Sequence, residues 1–418
     1  MSGLMGMSPR ERAVLWDRLR PGRDDDDAEL TARVIWSVLA EPGDGTAGLL
    51  VQDLGAAVAL SLVLHREPFP TAARLRHHAG LVAQRVTQAY DERGLPAIDG
   101  VRAGFQRWHP RMVGSLIESV FAMAAVSHAT LLTPRDPEWS IGLRGLNEHA
   151  PLLLWCLGEP TMLEDFEHSV ALVGTRAATG YGTHVATELA AGLAERDWTV
   201  VSGGAYGIDA ASHRAALAAR GRTVAVMAGG LNAFYPTGNH ELLARIAREG
   251  AVVAEAAFGV APTPFRFLGR NRLIAALTSA TVLIEAGTRS GAMNTANHAR
   301  ELERPVGIVP GPVTSPSSAG CHAALRDPER LTTLVTCTQD VIELVHGEVD
   351  AEPLADPEDP RFGRVLKTLN GRTAKTVGEV ARDSGMGEPE TAGLLGVLLL
   401  DGAVRKTEKG WVSVPKKR

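Results

Sequence analysis

The chain has 418 residues, 45% of them hydrophobic and 22% charged, which allows roughly two to four domains with a large buried core. A net charge of −5, from 43 basic and 48 acidic residues, excludes a uniformly basic nucleic-acid coat but leaves room for a local basic patch. No uncharged run reaches the roughly 18 residues of a membrane span, and the opening MSGLMGMSPRERAVLWDRLRPGRDDDD lacks an apolar signal core, so a cytoplasmic protein with no membrane association is expected.

Residues 1–127 read as a helical domain, because alanine and leucine recur at helical spacing in AELTARVIWSVLAEP and GLVAQRVTQAYDERG. The acidic run Asp24–Asp27 reads as a helix N-terminus or loop. Residues 128–345 change character. HSVALVG, WTVVSGG, TVAVMAGG, AVVAEA, TVLIEAG and PVGIVPG are short, β-rich and nearly all apolar, and stretches of helical period separate them. Buried strands alternating with helices predict an α/β fold: a Rossmann-like parallel sheet covered on both faces. Residues 346–359 are acidic and Pro-rich and read as a linker. Residues 360–418 predict three helices, over Arg361–Leu369, from the capping box Thr376/Glu379, and over Glu388–Leu400. A two-stranded wing turning near Glu408–Gly410 follows them, so this tail is expected to be a winged helix. The cysteines, Cys156, Cys321 and Cys337, lie far apart with no CxxC pair or Cys/His cluster, and predict reduced thiols and no metal site.

Glycine punctuates the strand ends. Gly174-Thr175-Arg176 is followed by Gly180 and Gly182, a second turn runs from Ser202 to Asp209, a third is Ala228–Asn232, and TVLIEAG continues as Thr288-Arg289-Ser290-Gly291. In an open parallel sheet these turns share one edge, where glycine lets a backbone approach phosphate and helix N-termini offer free amides. The GxGxxG fingerprint is incomplete, the second strand ends at Ser202 where a ribose-binding acid is expected, and no GK[ST] occurs, so neither a nicotinamide nor a P-loop cofactor is expected. Asp209 reads as a cap on the helix after the second turn. Phe265-Arg266-Phe267-Leu268-Gly269-Arg270-Asn271-Arg272 interleaves arginine with aromatic rings, the chemistry of a groove that tracks a backbone and stacks unpaired bases. The alternative for these side chains is a structural one, with the rings in the core and the arginines paired across the domain.

Gly174-Thr175-Arg176, SGGAYGIDAASH, YPTGNHEL, RFLGRNRLIAAL, EAGTRSGAMNTANHA and VPGPVTSPSSAGCHAALRD, in this order, resemble the DNA-processing protein A (DprA/Smf) family over about residues 130 to 330. The resemblance implies a DNA-binding protein without enzymatic turnover or cofactor. It would hold single-stranded DNA, form a homodimer, and load RecA recombinase onto strands covered by single-strand-binding protein, in natural transformation and recombination. By position, Gly174, Thr175, Arg176, Ser202, Gly203, Gly204, Asn239, Arg270, Asn271, Arg272, Arg289, Ser290 and Gly291 would line the DNA groove. Cys321, His322 and Leu325 would fall on the self-association and RecA surface. Tyr206, Thr237 and Gly238 depart from relatives that place small or basic residues there, which removes phosphate contacts, although Tyr206 can stack on a base. Two alternatives stand beside this reading. One is a sensor of a small nucleotide. The other is a phosphoribohydrolase of the LOG group, whose glutamate is missing from GTRSGAMNT.

Overall fold

The computed structural model describes residues 8–23, 26–64, 97–347, 360–370, 373–400, 403–407 and 410–414. They divide into two units, Met1–Gly347 and Glu348–Arg418. The first begins with the helices α1 (Pro9–Leu19), α2 (Asp27–Leu39), α3 (Gly45–Leu54), α4 (Ala56–Leu64), α5 (Ala97–Trp108) and α6 (Gly114–Val126). Capping sets their starts. Ser8 and Glu11 form a capping box on α1, and Asp26 accepts from the Ala28 and Glu29 amides at the head of α2. Asp27 accepts from Arg12 and from the Trp16 indole, so the described half of the acidic run serves a helix N-terminus. The helices bury Trp36 edge-on against Trp108 at 4.9 Å, and their core continues into Trp155, Leu243 and Phe258 of the sheet layer. The stretch 80–94, read as helical, lies outside the described residues.

Nine strands follow: β1 (Thr130–Leu132), β2 (Leu154–Gly158), β3 (Ser169–Gly174), β4 (Thr199–Ser202), β5 (Thr223–Met227), β6 (Ala251–Ala254), β7 (Ala280–Glu285), β8 (Val306–Ile308) and β9 (Thr332–Leu334). They form one sheet in the order β1-β2-β6-β5-β4-β3-β7-β8-β9. β3 to β9 are mutually parallel and β2 runs antiparallel to both its neighbours. The six apolar runs of the sequence are β3 to β8; β1, β2 and β9 were not foreseen. The crossovers carry α7 (Gly180–Ala194), α8 (Ile208–Ala218), α9 (His240–Glu249), α10 (Pro264–Ala276), α11 (Ala292–Glu301) and α12 (Ala319–Arg326), and α13 (Thr338–His346) follows β9. Separate cores on the two faces cover the sheet, which explains why its central strands are mostly apolar, with polar residues chiefly at their ends.

The second unit has α14 (Pro360–Thr368), α15 (Val377–Ser384), α16 (Glu388–Leu400) and the antiparallel pair β10 (Val404–Thr407) and β11 (Gly410–Ser413), around Val365, Val380, Leu395 and Trp411. Thr376 and Glu379 make the capping box expected at the head of α15. Of the stretch 346–359, read as a linker, His346 ends α13 and residues 348–359 lie outside the described residues, as do Glu408 and Lys409, where the wing was expected to turn. Among the described residues no single helix is long and apolar enough to cross a membrane.

One buried ion pair ties the helical layer to the sheet. Arg20, at the end of α1, donates to Asp136 at 2.7 and 2.8 Å and to the Leu131 carbonyl, with both side chains almost wholly enclosed. Burial raises the Asp136 carboxyl, but Arg20, the Thr133 amide and Arg23 outweigh it and hold it below the usual range. A carboxyl depressed in the folded state contributes stability that is full above its unfolded value, about pH 3.9, and is lost as pH falls through the folded value. Asp136→Asn is therefore expected to cost about 3 kcal/mol near neutrality, because it strands a buried guanidinium. It should also flatten the acid limb of the stability curve below about pH 4. Urea unfolding at several pH values checks both, and an unchanged acid limb would remove Asp136 from the account.

Candidate nucleic-acid interface

The chain steps outward from β3 in one direction through β4, β5 and β6, and in the other through β7, β8 and β9. At this reversal a crevice of about 700 Å³ opens beyond the carboxyl ends of the strands, where open α/β sheets place their ligands. Gly174, Arg176, Ala205 and Asp209 line one side. Phe267, Arg270 and Asn271 of α10 line another, with Ser290 and Gly291 at the head of α11.

Several glycines of this edge make room for the protein's own charged groups. A Cβ on Gly182 would collide with the Glu285 carboxylate. Glu285 accepts from the Thr179 amide at 2.9 Å and hydroxyl at 2.8 Å, while the Thr179 hydroxyl accepts from the Gly182 amide and caps α7. The amides at the start of α7 are thus partly satisfied from within. A Cβ on Gly203 would collide with the Arg270 guanidinium, and one on Gly207, at φ 76°, with the Thr175 carbonyl.

The second turn is also braced internally. Asp209 does not cap its own helix, whose N-cap is Gly207 without a side-chain bond. Its carboxylate reaches back to accept from the Gly203 and Ala205 amides at 3.2 and 3.3 Å. Burial pushes the Asp209 carboxyl up, against the pull of Arg270 and those amides. Ser202 donates to the Leu172 carbonyl, and Asn239, also buried, donates to the Gly204 carbonyl. Tyr206 is half exposed and its hydroxyl accepts from the Gly238 amide. The third turn packs Gly230 against Ala257 and Gly229 against Pro262, which itself lines the crevice.

Arg270 is enclosed. It donates to the Gly203 carbonyl at 2.8 Å, to the Val226 carbonyl and to the Asn271 side chain. Burial lowers it to about 10, Asp209 opposing and Arg176 adding to the shift. Its contacts to carbonyls leave the positive charge uncancelled by a hydrogen-bonded carboxylate. His213, from the SGGAYGIDAASH motif, is buried with Nδ1 2.8 Å from the Thr223 hydroxyl, and burial drives it down to about 3, so it stays neutral. Asn271 donates to the Gly291 carbonyl and the Asn294 side chain and so anchors the head of α11.

Arg176 differs from Arg270 in being exposed, with no hydrogen bond or ion pair to a described residue. Its guanidinium lies 5.0 Å from the centre of the Phe267 ring, which in turn packs at 5.6 Å against the half-exposed Tyr235. A free cation on an aromatic shelf, beside a helix N-terminus without a side-chain cap, suits a phosphate with an unpaired base. Tyr235 was not singled out in the sequence. Arg289 is exposed one residue before this wall, and Thr175 holds the first turn through its amide to the Glu285 carbonyl.

Two sets of expected residues stand elsewhere. Arg272 is ion-paired with Glu255 at 2.7 Å and donates to the His149 carbonyl, on the far side of α10 from the crevice, because helical spacing turns it away from Arg270. Arg266 likewise pairs with Glu41. Cys321 belongs to the core beneath α12, and burial pushes its thiol up to about 11. Leu325 is half-buried on the same core and the His322 ring sits 3.3 Å from the Gly311 carbonyl, while Val313, Leu331 and Leu334 are exposed apolar groups near α12.

Residues 130–346 match the family described as DNA recombination-mediator protein A. A Mycobacterium tuberculosis protein bearing the DprA name is 46% identical over 304 residues, 67% of this chain and 76% of that one. The DNA processing protein DprA of Streptococcus pneumoniae is 38% identical over 193 residues, 46% of this chain and 66% of that one. The X-ray structure of DNA processing protein A from Streptococcus pneumoniae is similar with a TM-score of 0.51 at 32% identity, over 57% of this chain and 81% of that one.

The two arginine environments separate by experiment. Arg272→Ala leaves the largely enclosed Glu255 without its counter-ion, held only by the Gly43 amide, and is expected to cost about 3 kcal/mol in urea unfolding. Arg176→Ala, at an exposed site, is expected to stay within about 0.5 kcal/mol. Equal losses would show that the two side chains do not differ as the geometry says.

Proposed function

The chain belongs to the DNA recombination-mediator protein A family, also named DprA or Smf, and from that membership we propose that its crevice holds single-stranded DNA without turning it over. The observation that carries this reading is Arg176, unpaired and resting on Phe267 beside Tyr235, at the mouth of a crevice whose inner wall holds Arg270. Phosphates would meet Arg176, Arg289 and the head of α11, and bases would stack on the aromatic shelf. The carboxylates nearest the strand ends, Asp209 and Glu285, are engaged by backbone amides and by Thr179, which supports holding rather than acid–base chemistry.

The proposal extends to the whole chain. Residues 1–127 act as a helical domain, 128–345 as a Rossmann-like DNA-binding domain and 346–359 as a linker, while 360–418, with three helices and a hairpin, act as a winged helix. The protein works in the cytoplasm as a dimer that passes strands coated by single-strand-binding protein to RecA. Self-association uses α12 together with Leu331 and Leu334 beside the edge strand β9, since an exposed strand edge with apolar side chains invites pairing.

Oligonucleotide titrations test the central claim. If about four phosphates are neutralised, log K for a single strand is expected to fall with log salt at a slope near −3. Duplex should bind more weakly, and free nucleotides should not compete at comparable concentration. Arg176→Ala should lower the slope by about 0.7. A flat salt response overturns the reading, and tight nucleotide binding favours the sensor. For the dimer, Leu334→Arg is expected to give monomers in sedimentation that still bind a short strand but no longer speed RecA assembly on it; a dimer that survives this change places the interface elsewhere.

A further inference from the structure

A second arginine cluster lies at the seam between the helical layer and the sheet. There a cleft of about 500 Å³ is walled by Arg135, Arg144 and the edge of the largely buried Trp139, with Arg33 and its partner Glu29 on the helical side. Arg135 and Arg144 are exposed and make no hydrogen bond or ion pair to a described residue. Arg33 is nearly buried; it pairs with Glu29 at 2.9 Å and donates to the Leu152 carbonyl. Burial lowers Arg33 most, Glu29 pulls it back, and the charges of Arg135 and Arg20 lower it further. Arg135 thus opposes the charge of Arg33 while Glu29, also in the wall, offsets it, and the space admits a nucleotide unit whose phosphate the exposed Arg135 and Arg144 can meet.

The position of the cleft is set by topology. β1 is parallel to the central strands and β2 antiparallel, so Arg135, just after β1, and Leu152, just before β2, both stand at the carboxyl edge that bears the crevice. Three to six strand spacings separate the two places, about 14 to 29 Å. Between them lies α10, whose Arg270 faces the crevice while Arg272 holds the His149 carbonyl next to the cleft wall.

We propose that this cleft is a second phosphate-contacting site that extends the path of the same single strand from the crevice toward the helical layer, Arg135 and Arg144 taking phosphates and Trp139 walling a base. The proposal rests on the reading of the crevice as a single-strand site. A strand bound at both places spans more nucleotides than the crevice alone, within the roughly 4 to 16 nucleotides of comparable grooves.

The test uses the full chain, a single strand of about twenty nucleotides and one of about five. Arg135→Ala/Arg144→Ala is expected to weaken the long strand about tenfold and to reduce its salt slope by about 1.4, the share of two phosphates. The short strand should bind as before. Arg135→Lys/Arg144→Lys should keep most of the salt slope, because the charges remain. Arg176→Ala should weaken both lengths. If Arg176→Ala acts and the double variant leaves the long-strand slope unchanged, the extension is wrong while the crevice stands. If Arg176→Ala is silent on both lengths, the reading of the crevice itself fails. A mononucleotide that binds the wild type, is lost in the double variant and is not displaced by the long strand would make the cleft a separate nucleotide site and overturn the extension.

Discussion

A parallel sheet gathers the ends of its strands, the starts of its helices and their unpaired amides along one edge, and something must satisfy that polarity. In this protein two internal carboxylates do much of it. Glu285, at the end of β7, serves the Thr179 cap of α7, and Asp209, from the first turn of α8, serves the amides of Gly203 and Ala205. Each needs glycine beside it or in the turn it braces, so the Gly-rich character of this edge follows from internal anions as well as from any ligand. Arg270 completes the arrangement by donating to the carbonyls of Gly203 and Val226. The edge is thereby fixed before any ligand arrives.

This constraint shapes what the crevice can take. Two of the nests that would cradle a compact pyrophosphate are already occupied, which disfavours a dinucleotide lying over the first turn. The remaining chemistry is outward-facing: the free guanidinium of Arg176, the Phe267 and Tyr235 rings, and the head of α11. These suit a ligand that passes along the edge, touched at its phosphates and faces, more than one swallowed whole. Backbone contacts of that kind carry little sequence information.

The central fold was legible because buried parallel strands have a distinctive pattern: β3 to β8 are apolar on both faces and each is followed by a helical period. β1 (Thr-Leu-Leu) and β9 (Thr-Thr-Leu) escaped because they lack the continuous apolar run that marks the equally short β8, and β2, within LLLWCLG, carries an apolar run that fits strand or buried helix equally. The edge was legible in position and less so in role. A glycine demanded by close approach looks the same whether a phosphate or the protein's own carboxylate approaches, so Gly182 and Gly203 did not reveal Glu285 and Arg270. Arg272 was assigned to the groove from its local company, but its partners Glu255 and His149 lie 17 and 123 residues away. Nothing in RFLGRNRL tells two arginines apart that helical geometry sends to opposite sides. The reading of Cys321 as surface failed for a related reason: α12 is short, and its buried face could be set only by knowing which side meets the sheet.

What a strand of the proposed kind would meet depends on where charges lie rather than on their sum. Internal pairing does not lessen the net charge of −5, because it takes arginines out together with carboxylates, but it decides which side chains remain. Glu255 is held by Arg272, Glu41 by Arg266 and Arg111, Asp136 by Arg20 and Arg23, and Glu29 by Arg33. Pairing removes both members from the far field, so the charge an approaching strand meets is set by the side chains left over. Among the described residues Arg176, Arg289 and Arg135 have no partner at the carboxyl edge of the sheet, and Arg144, likewise without one, walls the cleft that opens beside it. At physiological salt a charge is felt over only about 8 Å. An acidic surface elsewhere on the molecule therefore does little to repel a strand lying against that edge, and the spacing of the unpaired arginines counts for more than the sum of all charges.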